Sequence, residues 1–257
     1  MTFYGDLDGN EHGPQAHQLI AVGRKYEASF GKVQWSHDIW ASQNILSHCV
    51  SEKTMTPALT PDSDDIAAFL QSTDVIDWKH VEVRRKSDSL TMGASTINEK
   101  VRALFEWVRD EIPHSKDADL DVVTCRASEV LKAGTGICYA KSHLFAALLR
   151  AQRIPAGFCY QVLRHDPPLN GIVLHGISGV YMRENKEWLL LDPRGNTNGC
   201  NAQFGIQDDG LAFQTDDNFG EFTYPTVYHC PAPVVVNILQ AYKSREEMWP
   251  HLPSSLS

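Results

Sequence analysis

A change of hydrophobic period at Pro155 limits most what this chain can become. Before it, apolar residues recur at helical spacing; after it, they alternate. Thr96-Ile97-Asn98-Glu99 is a capping box that opens a helix. Its apolar positions Ile97, Val101, Leu104, Phe105, Val108 and Ile112 share one face, and Pro113 ends it. A short helix near Ala127 to Lys132 is stopped by Gly134. The strongest helix starts at or just before Cys138, carries Ala140, Leu144, Ala147, Leu148 and Ala151 on one stripe, and ends before Pro155. Then Gly157 to Arg164, Val173 to Met182 and Glu187 to Leu191 read as strands joined by turns. Helices first and strands after predict an α+β fold with an antiparallel sheet. Fainter signals suggest a short helix over Asp64 to Leu70 capped by Ser63, a strand at Val81-Glu82-Val83, and a strand at Pro233 to Leu239 in a tail that is otherwise mostly loop.

Residues 1–54 lack any sustained period and scatter His12, His17, His37 and His48 among Gly, Gln and Ser. Two readings compete: Met55 is the initiator, preceded by a gene-start artefact or disordered tail, or the segment is a histidine-rich metal-binding or regulatory extension. The histidine spacings fit no ligand motif, so residues 1–54 are expected to be a poorly structured extension and residues 55–257 the domain. With 42% hydrophobic and 21% charged residues, a true core is available. A formal charge of −9 argues against nucleic acid or an anionic membrane surface as the main partner.

Of the six cysteines, Cys49, Cys125, Cys138, Cys159, Cys200 and Cys230, no two form a C-x-x-C pair and none lies at zinc-ligand spacing from histidines. No metal or cofactor is expected. No apolar stretch is long enough to span a bilayer, and the first thirty residues lack the pattern of a secretory signal. Free thiols in a reducing cytoplasm are the expectation.

Cys138 stands apart. A thiolate is the attacking form of cysteine, and a helix N-terminus favours it through partial positive charge and unpaired N–H groups. Gly134-Thr135-Gly136-Ile137-Cys138 places a cysteine there, where its own N–H can face a developing oxyanion. The local pattern alone fits equally well a small thiol packed at a helix end. Cys125 and Cys159 read as packing residues.

A nucleophile needs a base, and the base needs an orienting group. The strand containing His175 and the strand ending at Asp192 flank Arg183-Glu184-Asn185-Lys186, a four-residue turn. That turn pairs Met182 with Glu187, Tyr181 with Trp188 and Ile177 with Asp192. His175 and Asp192 then share a face as diagonal neighbours. Gly176 and Gly179 suggest that something large approaches this strand closely. His143 is a rival base, but a spacing of five from Cys138 turns it away; His165 and His229 sit in proline-rich loops. Gln161 and Trp107 are candidates for a second oxyanion donor.

These residues resemble a known family. Gly136-Ile137-Cys138-Tyr139-Ala140-Lys141-Ser142 with Ala146 to Arg150 and Ile154-Pro155-Ala156 is similar to the nucleophile helix of bacterial transglutaminase-like proteins. Leu174-His175-Gly176 and Trp188 to Asn196 resemble its histidine and aspartate strands, in the same order Cys138, His175, Asp192. The resemblance implies a papain-like core, with the Cys138 helix packed against an antiparallel sheet that carries His175 and Asp192. It also implies thiol-dependent acyl chemistry on a protein or peptide amide, passing the acyl group to water or to an amine. Ile177 stands where the family often has tryptophan, and the β-domains and calcium loop of animal transglutaminases are missing. Glycanases of the same triad order bring paired zinc cysteines that this chain lacks. The alternative is a non-catalytic binding or scaffold protein on a protease-like fold.

Overall fold

The computed structural model of the protein describes residues 58–165, 170–197, 199–205 and 210–257. By its internal contacts the chain divides into Met1–Ser51 and Glu52–Ser257. The boundary expected at residue 55, and the histidines before it, lie outside the described residues.

The helices are α1 (Val81–Leu90), α2 (Ile97–Glu111), α3 (Ala127–Ala133) and α4 (Cys138–Ala151), followed late in the chain by α5 (Pro233–Ala241) and α6 (Arg245–Met248). The main sheet holds β2 (Ala156–Arg164), β3 (Ile172–Met182), β4 (Glu187–Leu191) and β5 (Phe222–Thr223) in the order β4-β3-β2-β5, with every pairing antiparallel. A separate parallel pair joins β1 (Thr60–Pro61) to β6 (Thr226–Val227). The expected α+β arrangement, with the nucleophile helix on an antiparallel sheet, is the one observed.

Helix α2 begins as its sequence dictates: Glu99 N donates to Thr96 Oγ1 at 3.1 Å, and Thr96 N donates to Glu99 Oε2 at 3.0 Å. Gly134 ends α3 at φ +67°, a left-handed geometry that glycine adopts without a Cβ penalty. Helix α4 differs from the single stripe expected of it. Every residue from Cys138 to Arg150 is buried, because α1, α2 and α3 pack against it on one side and β2 and β3 on the other. Such a helix must satisfy its own polar groups. Arg150 donates to the carbonyls of Ala156, Gln71 and His229, from Nη1 to Gln71 at 2.8 Å and from Nη2 to His229 at 2.6 Å. Lys141 Nζ donates to the carbonyl of Arg109 in the last turn of α2 and to that of Ile112 just beyond it.

Three local expectations are corrected. Val81-Glu82-Val83 opens α1 and is not a strand: Val83 and Ser87 face inward at helical spacing, and Ser87 Oγ donates to Leu148 O at 2.7 Å. Pro233 to Leu239 lies within α5, where Pro233 occupies the first turn and Val235 and Leu239 are buried four residues apart. The helix over 64–70 contracts to one 3₁₀ turn, Ala68–Leu70. Ser63 Oγ accepts from Asp65 N and Asp65 Oδ1 from Ala67 N, so these side chains close local turns in place of capping a longer helix.

Candidate active site

The loop from Gly134 to Ile137 delivers Cys138 to the first turn of α4. A Cβ on Gly136 would lie 2.9 Å from Thr124 Oγ1 and 3.0 Å from the Ala140 Cβ, so only glycine lets the loop pass so close. Ile137 is the N-cap and supplies no side-chain cap, and Ile137, Cys138 and Tyr139 all line a cavity of about 690 Å³. The N-terminal N–H groups of α4 therefore open toward that cavity. Gly176 on β3 plays the matching part. A Cβ there would sit 2.7 Å from Tyr139 Cδ1 and 3.3 Å from Tyr139 Cα, which is how closely the nucleophile helix rests on the strand. Tyr139 Oη donates to Leu174 O at 2.5 Å and Ser142 Oγ to Gly176 O at 3.3 Å, locking helix and strand together.

The β3–β4 hairpin has the register expected of a four-residue turn, with Met182 opposite Glu187, Tyr181 opposite Trp188 and Ser178 opposite Leu191. Asp192 follows directly. His175 Nε2 donates to Asp192 Oδ2 at 2.7 Å, and the same ring hydrogen-bonds Cys138. The three residues proposed from sequence are thus brought together, all buried. Asp192 also accepts from Arg194 N at 3.0 Å and from Ala212 N at 3.2 Å. Phe213 meets the His175 ring edge-on at 5.0 Å.

Electrostatics follow from this packing. Burial is the largest influence on His175 and by itself would lower its pKa. The Asp192 charge, then the Cys138 charge and the hydrogen bonds to both, outweigh it and push the value up to about 10. Burial would raise Asp192, but the His175 charge and three hydrogen bonds hold it below its ordinary value. The site stabilises an imidazolium against a carboxylate at neutral pH.

The rivals fall elsewhere. His143 is buried against Phe158, its Nδ1 bonds Cys125 O at 2.8 Å, and burial drives its pKa down to about 4. His229 bonds Asp62 at 2.9 Å. His165 does line the cavity. Gln161 donates to Thr223 Oγ1 at 3.1 Å, and Trp107 packs under Lys86; neither lines the cavity. Burial raises the Cys125 thiol to about 11 and also raises Cys159, consistent with inert packing roles.

Sequence reasoning missed His114, Trp249 and Leu252, which line the cavity beside Cys138. His114 is 5% exposed and its backbone bridges to Gly136, next to the nucleophile loop. Burial, then the Arg194 and Lys141 charges, hold its pKa well below the ordinary value, so its ring is neutral. Its position after Pro113 was a signal only in retrospect of the bridge, since nothing local ties residue 114 to residue 136. Among the described residues, no cluster of His, Cys, Asp or Glu could hold a metal ion, and no helix is long and apolar enough to cross a membrane.

Comparison with known proteins gives one family match: residues 84–193 fit the transglutaminase-like superfamily. No match is found among curated proteins. Among solved structures, the chain is similar to one from Cytophaga hutchinsonii provisionally described as a cysteine protease. The identity is 20%, over 51% of this chain and 43% of that one, with a TM-score of 0.41. It is also similar to the periplasmic domain of TgpA from Pseudomonas aeruginosa, at 20% identity over 49% of this chain and 45% of that one, with a TM-score of 0.37. This chain thus spans less than half the length of either. The cytoplasmic location expected from the sequence is corrected here: the TgpA domain is periplasmic, which points away from a cytoplasmic assignment. Residues 84–193 thus match the transglutaminase-like superfamily, and they fold as helices packed on an antiparallel sheet, the arrangement of a papain-like core.

Proposed function

We propose that this chain is a thiol-dependent enzyme that opens an amide of a protein or peptide, with Cys138 as nucleophile, His175 as proton carrier and Asp192 as orienting acid. The observation that carries the reading is the His175 ring held between Cys138 and Asp192, with Nε2 2.7 Å from the Asp192 carboxylate. In the first half-reaction the Cys138 thiolate forms a bond to the amide carbon, and the carbonyl oxygen takes the charge beside the Cys138 N–H. The imidazolium of His175 gives its proton to the leaving nitrogen as the C–N bond breaks, which leaves a thioester. In the second half-reaction water or an amine attacks the thioester, His175 takes its proton, and the C–S bond breaks to return the thiolate. Asp192 keeps Nε2 of the ring protonated, so that Nδ1 faces the sulfur.

The competing reading is a scaffold that retains the fold without turnover. Labelling with iodoacetamide separates the two, because the sulfur displaces iodide only as thiolate. The reading predicts selective alkylation of Cys138 near neutral pH, lost in Cys138→Ala, with the other thiols slower. Alkylation of Cys138 no faster than a free cysteine would leave the scaffold as the better description.

A further inference from the structure

The far wall of the cavity comes from the end of the chain. Arg245 Nε donates to Leu120 O at 3.2 Å, and Ser244 Oγ and Glu246 N both donate to Asp121 Oδ1 at 2.9 Å, which fastens α6 to the loop after His114. Met248 is fully buried beneath it. Beyond the 3₁₀ turn Trp249–His251, Leu174 N donates to Pro253 O at 2.7 Å. That bond falls one residue before His175, on the flank of β3 that β4 leaves uncovered, since β4 pairs only as far as Ser178. The segment is anchored at both ends, and Trp249 lies between the anchors. Its ring stands edge-to-face with His114 at 6.4 Å and with His165 at 5.9 Å, and Lys116 Nζ lies 4.3 Å from its centroid.

We propose that Trp249 determines the specificity of this site, holding a neutral apolar or aromatic side chain beside the amide that Cys138 attacks. The proposal rests on the acyl-transfer reading above. Trp249 shares the cavity with Leu163, Val173, Leu174 and Leu252, which supply apolar surface. The charges on the same lining are matched: Arg164 Nε lies 3.4 Å from Glu221, and Arg194 Nη1 lies 2.9 Å from Asp117. A charged substrate side chain would have to lose its hydration there against partners already engaged, whereas an apolar one gains contact with the indole face. His114 is the positioning residue of the arrangement. Its backbone bridges Gly136 and its ring stands at right angles to the indole, so it fixes the distance from the specificity wall to the nucleophile loop.

The test uses the full chain and two reagents that act on the same sulfur. Peptidyl chloromethyl ketones, with leucine, phenylalanine, aspartate or lysine next to the ketone, alkylate Cys138 with loss of chloride; iodoacetamide reports the reactivity of the thiol without the wall. The wild-type protein should favour leucine or phenylalanine over the charged residues by about tenfold to a hundredfold. Trp249→Ala should lose most of that preference while its iodoacetamide rate stays within about twofold of wild type. Should that variant not fold, Trp249→Phe and Trp249→Leu carry the comparison, with preference falling in the order Trp, Phe, Leu. A preference unchanged across these variants, or one for aspartate or lysine in the wild type, overturns the proposal. Slow iodoacetamide labelling of the wild type would instead sink the acyl-transfer reading and the proposal with it.

Discussion

Replacing Gly176 by alanine tests whether the nucleophile is placed by the contact of α4 with β3. The added Cβ would lie 2.7 Å from Tyr139 Cδ1, well inside the ~3.5 Å at which carbon atoms begin to touch favourably. Tyr139 has little room to yield. It is 1% exposed, its hydroxyl is tied to Leu174 O at 2.5 Å, and its Cα would be 3.3 Å from the same methyl. Relief must come from lifting the start of α4 off the strand by several tenths of an ångström. Overpacking of this kind costs about 1–3 kcal/mol, which for a domain of this size lowers Tm by roughly 2–4 °C per kcal/mol. The same lift moves Cys138 away from His175, so alkylation of Cys138 by iodoacetamide should slow by about tenfold or more, as misplacement of reacting groups does. Thermal unfolding and the alkylation rate at neutral pH measure the two effects. Gly205→Ala is the control, because a Cβ there meets nothing within 4 Å; it should change stability by no more than about 0.5 kcal/mol. A Gly176→Ala protein that melts and alkylates like wild type would refute the claim that this contact places the thiol.

Other expectations are briefer. Cys138→Ala should abolish turnover, His175→Ala should be nearly as damaging, and Asp192→Asn should be milder but still substantial. The losses should not add, which steady-state kinetics of the double variants would show. Activity should fall on the alkaline side as His175 loses its proton near pH 10. The stability that its raised pKa contributes is fully present below about 6.5, its ordinary value, and is lost as pH rises through about 10. Asp192→Asn removes the charge that raises His175, so a pH–rate profile should show the alkaline limb moving to lower pH. Arg150→Met should cost roughly 3–5 kcal/mol in denaturant unfolding, since the Gln71, Ala156 and His229 carbonyls all lose their donor at once. A chain beginning at Met55 should keep the wild-type melting temperature and alkylation rate; loss of either would make the preceding residues part of the domain.

Much of the core could be read from the residues because the signals there were local and agreed with one another. The Thr96 capping box, the glycine stop at Gly134 and the even turn after Met182 each constrain backbone within a few residues, and the last of them places His175 and Asp192 on one face. Where reading failed, the local pattern was satisfied by two periods at once. Val81-Glu82-Val83 is too short to tell alternation from the start of a helix, and Ser87, whose hydroxyl goes to Leu148, is polar and so hid the inward face. The valine run after Pro233 favours strands by composition, yet the proline starts a helix and burial of Val235 and Leu239 keeps it. Neither His114 nor Trp249 could be assigned to the site, because each reaches it through packing with distant residues and not through a motif.

The bond from Leu174 N to Pro253 O has a consequence for how the protein matures. The site draws on residues from His114 to Pro253, so it can be complete only after the last segment has docked, and contacts of such long sequence separation are slow to form. Until then the flank of β3 beside His175 is uncovered, and the cavity next to Cys138 lacks its Trp249 wall. A chain still emerging or partly folded would meet substrates without that wall, and the onset of side-chain preference, rather than of thiol reactivity, would serve as a clock for the final step of assembly.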